Sequence, residues 1–308
     1  MYFPGNRLRE PVLQIILLLS GKKRLFFGII VAMKLSVIIS TYNSEDWLRN
    51  VLTGYTVQTE QDFEIVIADD GSTEKTKALI ASFQGRFNYP IIHVWQKDAG
   101  FRKCRILNKA ILQSQSDYLL FTDGDCIPRK DFVATHLKHK EAGYFLSGGY
   151  FKLPRSISEA ITQEDIITQR CFTLSWLKRQ GLAMNFKVTK LVHNTYFAAF
   201  MNWLTPTKRS WNGHNASGFK KDIIAINGFN ELLTYGGEDR EMGERLFNLG
   251  LLSKQIRYSA ICVHLDHERG YVDYEKIKHN LEIRRYNSKH KITYIEHGLD
   301  KLKNNTFA

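Results

Sequence analysis

Cysteine is scarce. The chain has four in 308 residues (Cys104, Cys126, Cys171 and Cys262), with no CxxC pair and no zinc-ligand spacing. That excludes a disulfide scaffold and a structural zinc module, and it points to reduced, buried thiols in a cytosolic protein. Cys126, beside Asp125, reads as a small packed residue. Long apolar runs are missing too. Val12–Leu19 and Leu25–Met33 are each too short to span a bilayer and are split by Gly21-Lys22-Lys23-Arg24. No small-residue cleavage site follows a basic start, so a signal peptide does not fit. Residues 1–32 are therefore either an interfacial anchor or a leader ahead of a true start at Met33. Nucleic-acid-binding motifs are absent as well, and basic charge alone gives no warrant for such a partner.

What is present is ordinary globular composition, 44% apolar and 24% charged, enough for one large core or two small ones. The formal charge of +12 is uneven. Residues 1–32 carry a net +4, residues 269–308 carry nine basic against five acidic groups, and the long middle carries only +4. Charge gathered at the ends suits tails that touch an anionic membrane surface.

From Lys34 the pattern becomes regular. Leu35–Thr41, Phe63–Ala68, Ile91–Trp95 and Tyr118–Phe121 read as short, near-continuously apolar strands, as strands buried on both faces do. Between them lie helical stretches: Ser44, as cap, to about Thr56; Thr73 to about Phe83; and Cys104–Gln115. Strand and helix alternating at this spacing predict a parallel α/β sheet with right-handed crossovers. Ligands of such sheets bind outside the carboxyl ends of the strands. Two acid clusters fall at that edge, Asp69-Asp70-Gly71-Ser72 and Asp123-Gly124-Asp125.

In extended backbone, Asp123 and Asp125 point to the same side, roughly 6–7 Å apart. Two carboxylates there repel unless a cation sits between them, and hard oxygen ligands suit Mg²⁺ or Mn²⁺. Gly124 lets the backbone turn and a bulky ligand approach. A solvated Asp-Gly turn would have the same local sequence; the company of Asp69-Asp70 argues against it. The loop Gln96–Arg105 also reaches this edge and opens a helix, so its basic groups, Arg102 among them, could meet a diphosphate or remain solvated.

Taken in order, SVIISTYN, ADDGS and the strand ending in DGD resemble the opening half of a family-2 glycosyltransferase of GT-A fold. The resemblance implies that Thr41 and Asp70 hold the uracil or ribose side of a nucleotide. It implies that Asp123 and Asp125 hold the metal together with the donor diphosphate and ribose. Downstream, INGFNE followed by GGEDREMGERL (residues 226–231 and 236–246) is similar to the carboxy-terminal segment of β-1,4-galactosyltransferases. Acids at a helix start also stabilise its dipole, but the resemblance implies that one of this pair takes the acceptor proton, Asp239 first and Glu238 second. Tyr258–His264 reads as a strand ending in histidine. The resemblance makes His264, or failing that His267, the ligand that completes the metal site with the DxD carboxylates, and imidazole suits Mn²⁺ better than Mg²⁺.

The expected architecture is thus an α/β, Rossmann-like GT-A fold, with a mixed, mostly parallel sheet flanked by helices and a helical C-terminal tail. Residues 33–150 form the nucleotide-sugar half and 151–270 the acceptor and catalytic half. A basic amphipathic tail follows over 271–308. Residues 157–178 and 182–204 are expected to be helical or loop-like and mostly to pack on the sheet. The expected activity is inverting, metal-dependent transfer of galactose, N-acetylgalactosamine or another hexose from a UDP-sugar. The expected acceptor is a hydroxyl of a glycan or lipid-linked glycan, met at the inner face of the cell membrane. Two rivals stand beside it. A nucleotidyltransferase would need a Gly-rich basic loop after the first strand, where STYNSEDW offers none. A non-catalytic scaffold would have no use for both carboxylate pairs and the histidine.

Overall fold

The computed structural model describes residues 33–206, 210–268 and 273–304, so the expected leader lies outside the described residues. The first half follows the expected alternation: β1 (Leu35–Thr41), α1 (Glu45–Thr56), β2 (Phe63–Asp69), α2 (Glu74–Ser82), β3 (Ile92–Trp95), α3 (Lys103–Gln113) and β4 (Tyr118–Asp123). Next come β5 (Cys126–Pro128), α4 (Phe132–His139), β6 (Tyr144–Ser147) and β7 (Phe151–Lys152). Short helices follow, α5 (Arg155–Ala160), α6 (Gln163–Ile167), α7 (Leu174–Arg179) and α8 (Thr195–Leu204), with 3₁₀ turns at Arg170–Phe172 and Phe186–Leu191. The rest is β8 (Ala216–Phe219), α9 (Lys220–Ala225), α10 (Glu238–Asn248), β9 (Leu252–Gln255), β10 (Cys262–His264), α11 (Tyr274–Lys289) and α12 (Leu299–Asn304).

The main sheet runs β3-β2-β1-β4-β8-β6-β9, and a small sheet runs β5-β10-β7. Pairing is parallel for β1 with β2 and β4, for β2 with β3, and for β6 with β9. Strand β8 runs antiparallel to both β4 and β6. The sheet is mixed and mostly parallel. The apolar strands divide their side chains between two cores. Val37, Ile39, Ile65, Ile67 and Leu120 face α1, whereas Ile38, Val66, Leu119 and Phe121 face α3, α10 and α12. Burial on both faces is why these strands lack polar alternation.

Two local expectations change. Ser44 precedes α1 but makes no capping bond, because its backbone (φ −137°, ψ 57°) leaves the extended geometry that aims a cap side chain at the first turn. The strand expected over Tyr258–His264 shrinks to Cys262–His264, since Ser259 and Ala260 donate their N–H groups to Ile256 O and close a turn. Strand β8, which the sequence does not announce, lies in the middle of the sheet between β4 and β6. Its small residues leave room for Trp211, whose ring a Cβ on Gly218 would meet at 3.3 Å. Ser217 Oγ bonds Tyr118 Oη and His136 Nδ1, and Asn215 Oδ1 bonds His136 Nε2. Burial pushes His136 down to about 3, so it ties α4 to β8 as a neutral ring.

Candidate active site

A cleft of about 660 Å³ opens at the carboxyl ends of β1, β2 and β4. The order reverses between β1 and β4, whose neighbours lie on opposite sides, and this is where open α/β sheets bind ligands. Asp69 and Asp70 have separate work. Asp69 is fully buried, accepts N–H bonds from Gly71 and Ser72, and bonds His93 Nε2 at 2.9 Å. It builds the turn. Asp70 lines the cleft, held by Gln96 Nε2 (2.6 Å) and the Arg102 N–H (2.8 Å), with burial raising its pKa. Thr41 lines the same wall with a buried hydroxyl that has no partner.

Arg102 enters through its main chain, while its guanidinium donates to Lys97 O. The cation that faces the cleft is the next residue, Lys103, at the start of α3. Its ammonium lies 2.7 Å from Asp123 Oδ1, which also accepts from Ser40 Oγ at 2.6 Å. Burial alone would raise Asp123, but Lys103 and Ser40 hold its carboxyl below the usual carboxylate range. Sequence reading had Lys103 only as one charge in a basic loop; nothing local distinguishes it from Arg102 or Arg105.

Asp125 meets the histidines through strand pairing. Strand β5 runs antiparallel to β10 with Cys126 opposite His264, and Leu265 N–H bonds Asp125 O at 2.9 Å. Asp125 Oδ2 then lies 2.9 Å from His267 Nε2 and 3.5 Å from His264 Nε2. The two imidazoles stack at 5.6 Å. Asp125, Cys126 and His264 offer ligand atoms within 4.8 Å of one another. Burial pushes the Cys126 thiol well up, and that thiol donates to Asp125 Oδ1 at 3.3 Å. The buried Nδ1 of His264 lacks a partner, and one carboxylate beside two imidazoles is a donor set that fits Mn²⁺.

The opposite wall is the start of α10. Gly236 and Gly237, at φ 105° and 100°, make the tight entry that a side chain would resist. Glu238 folds back to accept the Gly236 N–H at 2.8 Å, and both Glu238 and Asp239 line the cleft. Asp239 packs against Gly213 so closely that a Cβ there would sit 2.5 Å from Oδ1. That oxygen is buried without a partner. Burial first, and the neighbouring Glu238 second, push Asp239 up to about 7, against the pull of Lys103. Behind it, Arg245 and Glu241 form a fully buried ion pair. Arg245 also donates to Ile226 O and Gly228 O, and Asn287 donates to Glu241. The INGFNE turn and α11 thus fix the acid-bearing helix. Sequence reading gave His214 no role. It lies 4.6 Å from the Tyr150 ring, which lies 5.0 Å from His264, and burial pushes it down to about 4.

The fold is the expected GT-A fold, and comparison with known proteins gives the class. The chain belongs to glycosyl transferase family 2, whose profile matches residues 36–202, and the N-terminal domain of galactosyltransferase matches residues 201–268. A relative, the uncharacterized glycosyltransferase YfnE of Bacillus subtilis, is 28% identical over 81% of this chain and 69% of its own length. Validoxylamine A glucosyltransferase of Streptomyces hygroscopicus subsp. limoneus is 29% identical over 70% of this chain. Chondroitin synthase of Escherichia coli is 26% identical over 75% of it. The chain spans 48% and 34% of those two proteins. Among solved structures, Staphylococcus aureus TarS 1-349 in complex with UDP-GlcNAc superposes with TM-score 0.55 at 15% identity, covering 84% of this chain and 69% of that one. The mannosyltransferase PcManGT from Pyrobaculum calidifontis, in complex with GDP-Man and Mn²⁺, gives 0.50 at 17%, covering 83% and 61%. At these identities the structures speak for the fold alone. The chain is an enzyme of this class, and the scaffold and nucleotidyltransferase readings fall away.

Proposed function

We propose that the chain transfers a hexosyl group from a UDP-sugar to an acceptor hydroxyl with inversion, and that Asp239 is the base. The observation that carries this is Asp239 itself: a carboxylate raised to about 7, with one buried oxygen that has no hydrogen-bond partner, in the same cleft as Asp123 and Asp125. A base with a pKa near neutrality combines ionisation with proton affinity at working pH. In this reading Asp239 removes the acceptor proton as the hydroxyl attacks the anomeric carbon opposite the leaving UDP. Glu238 keeps Asp239 basic, Thr41 and Asp70 hold the nucleoside, and Arg102 acts by fixing Asp70. Lys103 supplies fixed positive charge beside Asp123. Asp125 and His264, with His267 beside them and Asp123 nearby, would hold Mn²⁺ or Mg²⁺. A divalent cation there supplies charge opposite the departing diphosphate. The match over residues 201–268 to a galactosyltransferase domain supports galactose or N-acetylgalactosamine, and likeness to a chondroitin synthase supports a growing surface glycan, free or lipid-linked, as acceptor. Such an acceptor would be met at the inner face of the cell membrane by peripheral contact; among the described residues no helix is long and apolar enough to cross a membrane.

The test is UDP release from a panel of UDP-sugars with Mn²⁺, with Mg²⁺ and with chelator, alongside Asp125→Asn. Release from one donor, dependent on metal and absent in the variant, is the expected result. Silence across the panel together with no metal-dependent UDP binding would overturn the reading.

A further inference from the structure

Helix α8 is apolar on both sides. Inward, Phe197, Ala198 and Met201 pack with Tyr258 in a small cluster separate from the two main cores. Outward, at helical spacing, stand Tyr196 (88% exposed), Phe200 (52%) and Trp203 (76%), with Leu204 beside them. A helix in water normally turns polar residues outward, and expected packing on the sheet does not account for these three. The segment before α8 continues the pattern, with Met184 and Phe186 exposed in a stretch that also exposes Lys178, Arg179 and Lys187. Charge says what covers this surface. Lys178, Arg179 and Lys187 are exposed and enter none of the ion pairs among the described residues, and the sequence from 166 to 221 contains no Asp or Glu.

We propose that the outward face of α8, with the basic segment leading into it, docks the chain on an anionic phospholipid bilayer. Tyr and Trp are side chains that settle at the headgroup boundary, apolar body inward and polar tip in water. Lys178, Arg179 and Lys187, on the chain leading into the helix, gain from the negative surface potential. A helix lying in the interface needs this combination and not a spanning length. The proposal rests on the membrane contact suggested above, whose surface it names, and on no part of the catalytic reading. It moves that contact from the chain ends to the middle.

The test is sedimentation of the full chain with vesicles of phosphatidylcholine alone and of phosphatidylcholine mixed with an equal part of phosphatidylglycerol. The unaltered chain should bind only the mixed vesicles. Tyr196→Ser/Phe200→Ser/Trp203→Ser should lower that binding at least about tenfold, with melting temperature and UDP binding kept. A second variant, Lys178→Glu/Arg179→Glu/Lys187→Glu, should lower it while leaving the aromatics in place. If both variants bind like the unaltered chain, membrane contact stands but lies elsewhere, and the assignment to α8 fails. If the unaltered chain binds neither vesicle, both fail. If the aromatic variant changes the oligomeric state and not vesicle binding, the face belongs to a second copy and the proposal is overturned. None of these outcomes touches UDP release, which tests the catalytic reading separately.

Discussion

Replacing Asp239 with Asn keeps the shape of the site and removes only the proton acceptor. The wild-type carboxyl stands at about 7 against an ordinary 3.8, roughly three units up, and at 1.36 kcal/mol per unit that is about 4 kcal/mol against the ionised form. Two consequences can be measured apart. In catalysis, UDP release with water or sugar as acceptor should fall about 10²–10⁴-fold, with UDP affinity retained. The wild-type rate should fall below pH 7 along a single-proton limb that the variant lacks. In stability the sign follows from linkage. A folded pKa above the unfolded one contributes stability that is fully present below about pH 4 and lost as pH rises through about 7. Asp239→Asn escapes that loss. It should therefore be the more stable protein above pH 7, by up to about 4 kcal/mol, with the gap closing toward pH 4. Thermal melts of both proteins across pH 4 to 8.5 would follow it. A variant that transfers sugar at near wild-type rate would remove Asp239 from the base position. A stability gap that does not change with pH would show that the carboxyl is not strained in the folded state.

Two further perturbations probe what surrounds the cleft. Lys103→Met removes the cation that lowers both Asp123 and Asp239. The acid limb of the pH–rate profile should therefore move to higher pH, and an unmoved limb would mean that Lys103 does not sense the base. Arg245→Met strips Glu241 of its partner in a site with no exposure and frees the carbonyls of Ile226 and Gly228. Breaking one side of a buried pair costs about 3–5 kcal/mol, read as a lower denaturation midpoint; a loss near zero would mean that water reaches the pair.

The first half of the chain was legible because its strands are buried on both faces. Continuous β-branched runs such as Val37-Ile38-Ile39 have one cheap arrangement, and the acids after them then fall at one edge. Strand β8 was not legible for the opposite reason. Ala216-Ser217-Gly218 carries almost no apolar signal, since the space above it is filled by Trp211 and the bonds beside it by His136. The approach of His264 to Asp125 was expected from likeness to a family, and its cause lies in the β5–β10 register, a pairing across more than a hundred residues that no local pattern encodes. Lys103 was hidden among equal charges. Arg102 and Lys103 are neighbours of the same sign, and only the start of α3 decides which one faces the cleft.

That choice bears on how one cleft keeps acids in different states. Asp123 and Asp239 are the same side chain, both line the cleft, and burial pushes each of them upward. What separates them is the position of one ammonium, one hydroxyl (Ser40) and one carboxylate. Lys103, at 2.7 Å from Asp123, holds that acid ionised. Glu238 stands beside Asp239 and repels its charge, so the proton there is held until near pH 7. Roles set by environment in this way are the pattern expected of an acid–base site, and they carry a condition. Glu238→Gln should lower the Asp239 pKa, carry the acid limb of the rate profile toward lower pH, and weaken the base as it does so. If the limb stays where it is, burial alone sets the base, and Glu238 is free for the acceptor.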